Sequence, residues 1–265
     1  MNTWMRRGLS GLLVSCSVMA AGWLAPPAAH AAEAQAVKVQ VNDQLIAFPD
    51  AQPFLDQNQS TQVPVRFVTE RLGYKLDWSK VGEQVQVTLQ NTRHTIVLTS
   101  GRSTAMIDNE PVTMTTTAEF KNGRVFVPLR FISEAADVQV HWESASRLAL
   151  VSSDGKQHAP DYELFEATAY SADPAENGGY SAYDYMGNPL ALGTVAVDPN
   201  VIPLGSKLYI EGYNFAGLPA GGMYAYATDI GGAVKGNHLD IYVPGTAASL
   251  RAFGIQKVKV YRISE

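Results

Sequence analysis

An internal repeat constrains the fold of this chain more than any other feature. The segment "PVRFVTERLGYKLDW" (64–78) returns as "PLRFISEAADVQVHW" (128–142), and proline, arginine, phenylalanine, glutamate and tryptophan recur in register. Upstream, "VNDQLIAF" (41–48) and "IDNEPVTM" (107–114) lie at nearly the same offset, and each is typical of two strands joined by a tight polar turn. Because the copies of such a repeat pack against each other, the pattern predicts a duplicated module over residues 37–153.

Each copy of the repeat combines a short helix with strands. After Pro64 and Pro128, the apolar residues follow a helical spacing, which suits a short amphipathic helix packed on a sheet. A strand ending at Trp78 or Trp142 is expected next, and "VQVTL" and "LALVS" continue the β-pattern. The first half is therefore expected to be a β-rich α+β module.

This half resembles the copper amine oxidase N-terminal-like domain of proteins exported by Gram-positive bacteria. The motif Pro-Val/Leu-Arg-Phe-Val/Ile-Ser/Thr-Glu, which occurs twice, carries the resemblance. It implies a binding or spacing module, with cell-wall polymer as one candidate ligand. Copper is not expected, because His94, His141 and His158 are scattered without ligand spacing and the Asn-Tyr-Asp/Glu quinone sequence is missing. No metal and no cofactor is predicted.

The first 31 residues are predicted to be an export signal. Two arginines precede an apolar run to Leu24, prolines break that run, and "AHA" (29–31) forms a cleavage site. A retained membrane anchor is an alternative, although the run is near the short end for a span. Lipoprotein processing at Cys16 is a further alternative, but apolar residues follow it. Because Cys16 is the only cysteine, the mature chain is expected to contain neither a disulfide nor a thiol nucleophile.

The charge balance argues against nucleic acid as a partner. The whole chain has a formal net charge of −5, and loss of the arginine-containing leader makes it more acidic. Phosphate backbones are bound by clustered lysine and arginine, and the sequence has no such cluster. No run after the leader is long and apolar enough to span a bilayer, so no transmembrane span is predicted in the mature chain.

A polar linker, residues 154–163, is expected to join the first half to a second domain at 164–265. The second half contains six short β-runs separated by turn residues, and this spacing predicts an all-β barrel or sandwich. One helix is expected over 246–254, with Thr246 as its cap.

Three aspartates occupy strand or turn edges in this half. Asp198 precedes a proline, and Asp229 precedes an isoleucine and two glycines, so a turn-forming role for Asp198 stays open beside a functional one. Asp240 lies between Leu239 and Ile241 in an apolar strand, where an unpaired carboxylate costs several kcal/mol of desolvation. Two carboxyl groups buried together raise the pKa of one of them, which suits a general acid.

The second half resembles the three-aspartate (3D) domain of exported cell-wall enzymes, which include lytic transglycosylases and stationary-phase muralytic proteins. The segments "ATAY" (167–170), "GTVAVDPNVIPLGSKLYI" (193–210) and "ATDIGGAVKGNHLDIYV" (227–243) carry the resemblance. It implies a six-stranded double-psi β-barrel that cleaves peptidoglycan between N-acetylmuramic acid and N-acetylglucosamine. Matched by position, the catalytic acid falls on Asp240, its supporting carboxylate on Asp229, and the third aspartate on Asp198. The family usually has threonine where this chain has Ile230.

The resemblance also indicates residues that contact the glycan. The expected substrate-binding residues are Thr168, Tyr170, Thr194, Gly231, Gly232 and Lys235. For Tyr170, packing within the barrel is an alternative, and Lys235 is also an ordinary turn residue. Strand alternation places His238 on the same face as Asp240, where a solvated imidazole is the default.

The expected function is that of a secreted, wall-associated lytic transglycosylase, with Asp240 as the single general acid and base and a 1,6-anhydro product. A non-catalytic module that binds or loosens wall glycan is an alternative. An inverting β-glycan hydrolase that uses both Asp229 and Asp240 is another.

Overall fold

The computed structural model describes residues 36–174 and 182–263. The leader prediction, its cleavage at Ala31 and the lipoprotein alternative at Cys16 lie outside these residues. All of the described residues belong to one unit, Glu33–Glu265. Within the described ranges, no helix has the length and apolar character needed to cross a membrane.

The elements of the first half alternate short strands with two helices. The strands are β1 (Lys38–Val41), β2 (Gln44–Leu45), β3 (Phe54–Leu55), β4 (Thr61–Pro64), β5 (Lys75–Val81), β6 (Gln84–Gln90), β7 (Thr95–Thr99), β8 (Thr104–Ile107), β9 (Glu110–Thr113), β10 (Glu119–Lys121), β11 (Arg124–Pro128), β12 (Gln139–Glu143) and β13 (Leu148–Ser152). The helices are α1 (Val65–Arg71) and α2 (Leu129–Ala135). Strands β5 to β9 form a sequential antiparallel sheet, and β10, β11, β4 and β3 form a second sheet in that order.

The two copies of the repeat meet at strands β4 and β11. These strands pair antiparallel, with Val63 opposite Val127, and each leads directly into the helix of its own copy. Val68 of α1 and Ile132 of α2 are fully buried in the same apolar cluster. Strand β5 does not end at Trp78 as expected, because its closing turn lies at Gly82, whose φ is 63°.

The second half forms a closed barrel of six strands. They are β14 (Glu163–Tyr170), β15 (Thr194–Ala196), β16 (Lys207–Glu211), β17 (Met223–Asp229), β18 (His238–Tyr242) and β19 (Gln256–Ile263). Their order is β19-β14-β18-β15-β17-β16, and pairing between β16 and β19 closes the barrel. The pairs β14–β18 and β15–β17 are parallel, and the other neighbouring pairs are antiparallel. The prediction of a mainly-β protein with a six-stranded C-terminal barrel is confirmed.

The helix expected over 246–254 is shorter than predicted. It comprises α3 (Ala247–Leu250), and Thr246 caps it by accepting a hydrogen bond from the Ser249 amide at 3.3 Å. Beyond Leu250 the chain continues in turns, with the Phe253 amide donating to the Leu250 carbonyl.

The barrel and the first half share one ten-stranded sheet. Strand β19 pairs with β2, which leads through β1 to β13 and β12. Leu45, Leu148 and Leu150 of the first half pack with Tyr261 and Ile263 of β19. The expected linker forms hydrogen bonds with a side chain of β1, and β14 begins at the last linker residue. The Gln40 side chain donates to the Ala159 carbonyl and accepts from the Asp161 amide.

Candidate active site

Along each barrel strand, side chains point alternately into the core and outward, and this alternation decides where the candidate residues lie. In β18, Leu239 and Ile241 are fully buried in the barrel core, so the residues between and beside them point outward. In β14, Ala167 is likewise buried in the core, so Thr168 points outward. Asp240 therefore does not enter the core, although it interrupts an apolar run, and its side chain is half-buried.

Asp240 is held by its neighbour on β14. Strands β14 and β18 run parallel with Thr168 opposite Asp240, and the Thr168 hydroxyl donates to Asp240 Oδ1 at 2.9 Å. His238 Nε2 lies 3.1 Å from the same hydroxyl oxygen. These contacts link the imidazole of His238 through Thr168 to the carboxyl group of Asp240, so His238 is in contact with the site rather than an isolated rim residue.

Asp229 lies at the end of β17 and accepts three hydrogen bonds. The Tyr170 hydroxyl donates to its Oδ2 at 2.6 Å. The backbone amides of Tyr185 and Ile230 donate to its Oδ1 at 3.0 and 2.9 Å. Three donors from three chain segments fix the position of this carboxylate, and none of them requires a side-chain hydroxyl at position 230.

The structure brings Asp229 and Asp240 to the same level of the two strands that flank β15. Ala196 of β15 pairs with Asp240 on one side and with Asp229 on the other. With neighbouring strands about 4.8 Å apart in a curved barrel wall, the two aspartate Cα atoms are separated by less than about 10 Å. Tyr170 is close to both aspartates: burial, the hydrogen bond to Asp229 and the charges of both aspartates raise the pKa of its phenol. Tyr170 is therefore a neutral hydrogen-bond donor in this site.

Asp198 has a different environment. It is buried and accepts from the backbone amides of Gly236 and Asn200 at 2.9 and 3.0 Å, and from the Asn200 side chain at 2.9 Å. The amide of Gly236, followed by those of Asn200, lowers the pKa of Asp198. Its carboxylate thereby ties the loop between Asp229 and Asp240 to the segment after β15, which is a positioning role. A catalytic role for Asp198 stays a prediction.

Two family models match the chain. One is the copper amine oxidase N-terminal domain, over residues 40–151, and the other is the 3D domain, over residues 193–264. The chain contains a 3D domain. Copper does not fit the first half, because the described residues include no group of three metal-binding side chains and the ring nitrogens of His94 bond Asp108 and Asp137.

Two relatives from Bacillus subtilis (strain 168) match part of the chain. The cell wall-binding protein YocH is 40% identical over 114 residues, which are 42% of this chain and 36% of YocH. The putative cell wall shaping protein YabE is 41% identical over 96 residues, which are 36% of this chain and 21% of YabE. The match thus spans about a third or less of each relative.

Solved structures of two lytic transglycosylases overlap with part of the chain. MltA from Escherichia coli is 31% identical, with 31% of this chain and 27% of MltA covered and a TM-score of 0.27. LtgG of Burkholderia pseudomallei is 24% identical, with 32% of this chain and 29% of LtgG covered and a TM-score of 0.26. TM-scores this low do not relate the folds.

The loop of the 3D domain between Asp229 and Asp240 needs glycine at two positions for different reasons. A Cβ at Gly231 would lie 2.7 Å from Val234 Cγ2, and Gly236 has a φ of 62°. Gly232 has open space around it, and Lys235 is exposed with its charge near Asp198. The loop is thus shaped by Gly231 and Gly236, while contact of Gly231, Gly232 or Lys235 with a sugar stays a prediction.

Thr194 lies on the outward face of β15 but its hydroxyl serves a local turn. The side chain is buried, and its oxygen accepts from the Ala191 amide at 3.3 Å. The Thr194 hydroxyl thus stabilises this turn, and its contact with substrate stays a prediction.

Asp184 is a site residue that the sequence did not indicate. Asp184 is buried and accepts from the backbone amide and side chain of Asn188, while the Met186 amide donates to the Thr228 carbonyl. Burial raises the pKa of Asp184, but hydrogen bonds from Thr228 and Asn188 outweigh it and leave the pKa lowered. This turn delivers the Tyr185 amide to Asp229. The sequence signal was an aspartate followed by Gly187 and Asn188, residue types that are typical of turns.

Proposed function

We propose that the protein acts on peptidoglycan as a lytic transglycosylase that cleaves the β-1,4 bond between N-acetylmuramic acid and N-acetylglucosamine. The observation that carries the proposal is the outward face on which Thr168 holds Asp240 while three donors hold Asp229 two strands away. The match to the 3D domain and the similarity to YocH, a cell wall-binding protein, and to YabE, a putative cell wall shaping protein, support cell-wall material as the partner.

In the proposed reaction, Asp240 acts first as an acid and then as a base. Its carboxyl proton passes to the glycosidic oxygen as the bond from that oxygen to C1 of the muramic residue breaks, and C1 gains oxocarbenium character. The resulting carboxylate then takes the proton of the C6 hydroxyl, whose oxygen bonds to C1 and closes a 1,6-anhydro ring. One carboxyl group serves both steps because the nucleophile is tethered to the substrate.

The neighbours of Asp240 have supporting roles in this proposal. Asp229, fixed by its three donors, places negative charge near the developing positive charge of the sugar. Thr168 orients the Asp240 carboxyl group and connects it to the imidazole of His238. Tyr170 packs edge-on against Tyr242, with ring centroids 5.6 Å apart, and forms part of the sugar-contacting surface.

Two other functions remain candidates on specific grounds. Non-catalytic wall binding is favoured by the similarity to YocH, a cell wall-binding protein. Inverting hydrolysis by Asp229 and Asp240 is compatible with their separation across two strands, since a water between two carboxyl groups needs about 6.5–9.5 Å. We also propose that residues 1–31 direct export and that residues 37–153 hold the 3D domain on the wall.

The test is release of soluble fragments from purified insoluble peptidoglycan by the full chain and by Asp240→Asn. Asparagine keeps the Oδ1 acceptor for Thr168 but carries no acidic proton, so we expect release to fall at least about 100-fold with the melting temperature nearly unchanged. Asp77→Asn, which neutralises an exposed aspartate on β5, is the matched control and should keep full release. Undiminished release by Asp240→Asn removes Asp240 from the mechanism, and no release by the unmodified chain favours binding alone.

A further inference from the structure

The first half contains a groove that the 3D domain site does not use. The groove has a volume of about 330 Å³ and is formed by α1, β5, β6, β10 and β11. This volume is within the range of small-molecule sites, about 300–1,000 Å³. Its floor is apolar and includes the buried side chains of Val87 and Val125.

Two large aromatic side chains of the groove are open to solvent. Trp78 is 64% exposed and Phe120 is 53% exposed, and both lie beside the buried valine floor. Exposed aromatic surface next to an apolar floor is typical of a site that takes a ligand with a flat apolar face. A pyranose ring has such a face, made of C–H groups, together with hydroxyls at its edge for water.

The polar groups of the groove are cationic. Arg66 and Arg124 line it, and none of its lining residues, all of which are described, carries a carboxylate. Arg66 Nε lies 3.9 Å from Glu70 Oε1, an exposed pair too long for a hydrogen bond and worth little. Arg124 is held by Asp50 and by the carbonyl of Gly123. Positive charge beside the aromatic rings, on a chain of net charge −5, complements a sugar that carries a carboxylate.

We propose that this groove binds a carboxylate-bearing glycan strand, with a sugar ring on Trp78 and Phe120 and a carboxylate of that sugar's free lactyl group or of its peptide stem at Arg66. The choice of peptidoglycan glycan as the source of this chemistry rests on the proposed function. The groove would keep the chain on the polymer independently of the chemistry at Asp240.

The experiment measures binding of the full-length chain to insoluble peptidoglycan by co-sedimentation, with Asp240→Asn in every variant so that the polymer stays intact. Trp78→Ala and Phe120→Ala should each weaken binding at least 10-fold, with melting temperatures unchanged because both side chains are exposed. Trp142→Ala is the matched control: it alters the equivalent tryptophan of the second copy, 36% exposed and outside the groove, and should bind normally. Equal binding by all of these variants overturns the proposal.

Binding of soluble oligosaccharides distinguishes recognition of the carboxylate by Arg66 from stacking of the sugar ring on Trp78 and Phe120. We expect a tetrasaccharide of alternating N-acetylglucosamine and N-acetylmuramic acid to bind at least 10-fold more tightly than neutral chitotetraose, and Arg66→Gln to remove that preference. A preference that survives Arg66→Gln places the carboxylate elsewhere and contradicts the proposal. If the chain releases no fragments but Trp78→Ala still loses binding, the glycosidase function fails while the groove stands. If release is normal and Trp78→Ala binds normally, the groove fails alone.

Discussion

Replacing Lys38 by methionine should destabilise the chain by about 3 kcal/mol, because it strands a buried charge at the joint between the two halves. Lys38 of β1 and Glu211 of β16 are 4% and 7% exposed and form an ion pair. The Tyr261 hydroxyl donates to Glu211 Oε1 at 2.9 Å, and the Lys38 ammonium lies 5.3 and 5.1 Å from the ring centroids of Tyr209 and Tyr261. Burial lowers the pKa of Lys38 although Glu211 opposes that shift.

The size of this destabilisation depends on the buried Glu211 charge that remains when Lys38 is replaced. Breaking a buried ion pair by removing one partner costs about 3–5 kcal/mol, since the other charge loses its compensation. We expect the low end of this range for Lys38→Met, because Lys259 Nζ lies 4.0 Å from Glu211 Oε1 and compensates part of the charge. For a chain of this size the change lowers the melting temperature by roughly 6–12 °C. Lys38→Met with Glu211→Leu removes both charges and should recover most of the loss.

Thermal unfolding followed by circular dichroism measures these differences. The matched control is Lys156→Met, which removes an exposed lysine 3.8 Å from Asp154 and should change stability by less than about 0.5 kcal/mol. The pKa of folded Lys38 is depressed, so the unfolded chain binds more protons at this site and stability should rise with pH between the folded and unfolded pKa values. Lys38→Met should flatten that rise. A Lys38→Met variant as stable as the control, or a double variant no better than the single one, refutes the reasoning.

Three further predictions concern single side chains. His158 bonds Asp154 and Asp43, and both carboxylates raise the pKa of its imidazole. The stability that these bonds add to the fold is therefore complete below about pH 6.5 and is lost as pH rises through the folded pKa of His158. His158→Gln should lower the melting temperature at pH 5.5 and hardly change it at pH 9. Gly236→Ala places a side chain at a φ of 62° and should cost about 1–2 kcal/mol in chemical denaturation, whereas Gly232→Ala should cost less than half as much. Thr168→Val removes the hydroxyl that orients Asp240 and should lower kcat about 10-fold or more while leaving KM similar, as measured by fragment release; an unchanged kcat would separate Thr168 from the reaction.

Local patterns in the sequence predicted the elements better than their contacts. Each of the six β-runs expected after the linker is a barrel strand, because alternation and turn residues are encoded within a few positions. The same alternation, applied to Leu239 and Ile241, places Asp240 outward. The apolar neighbours of Asp240 suggested that it is buried. Those neighbours face the core from one side of the strand, and Asp240 lies on the opposite side.

Local sequence patterns could not predict the ion pair between the two halves or the hydrogen bonds that hold Asp229. Lys38 and Glu211 are 173 positions apart, and neither has a neighbour in sequence that marks it as a buried partner. Asp229 accepts from the backbone amide of Tyr185, 44 positions away, which any residue type could supply. Contacts of this kind depend on how the strands close the barrel, so they emerge only from the assembled fold.

The most direct test of the central claim is the chemistry of the ends that the unmodified chain produces. Purified peptidoglycan is digested with the chain, and the released fragments are identified by mass spectrometry. The account predicts 1,6-anhydromuramyl ends, each lighter by one water than a hydrolysed end, and none of them with Asp240→Asn. Reducing ends from the unmodified chain would contradict intramolecular closure by the C6 hydroxyl and assign water as the nucleophile.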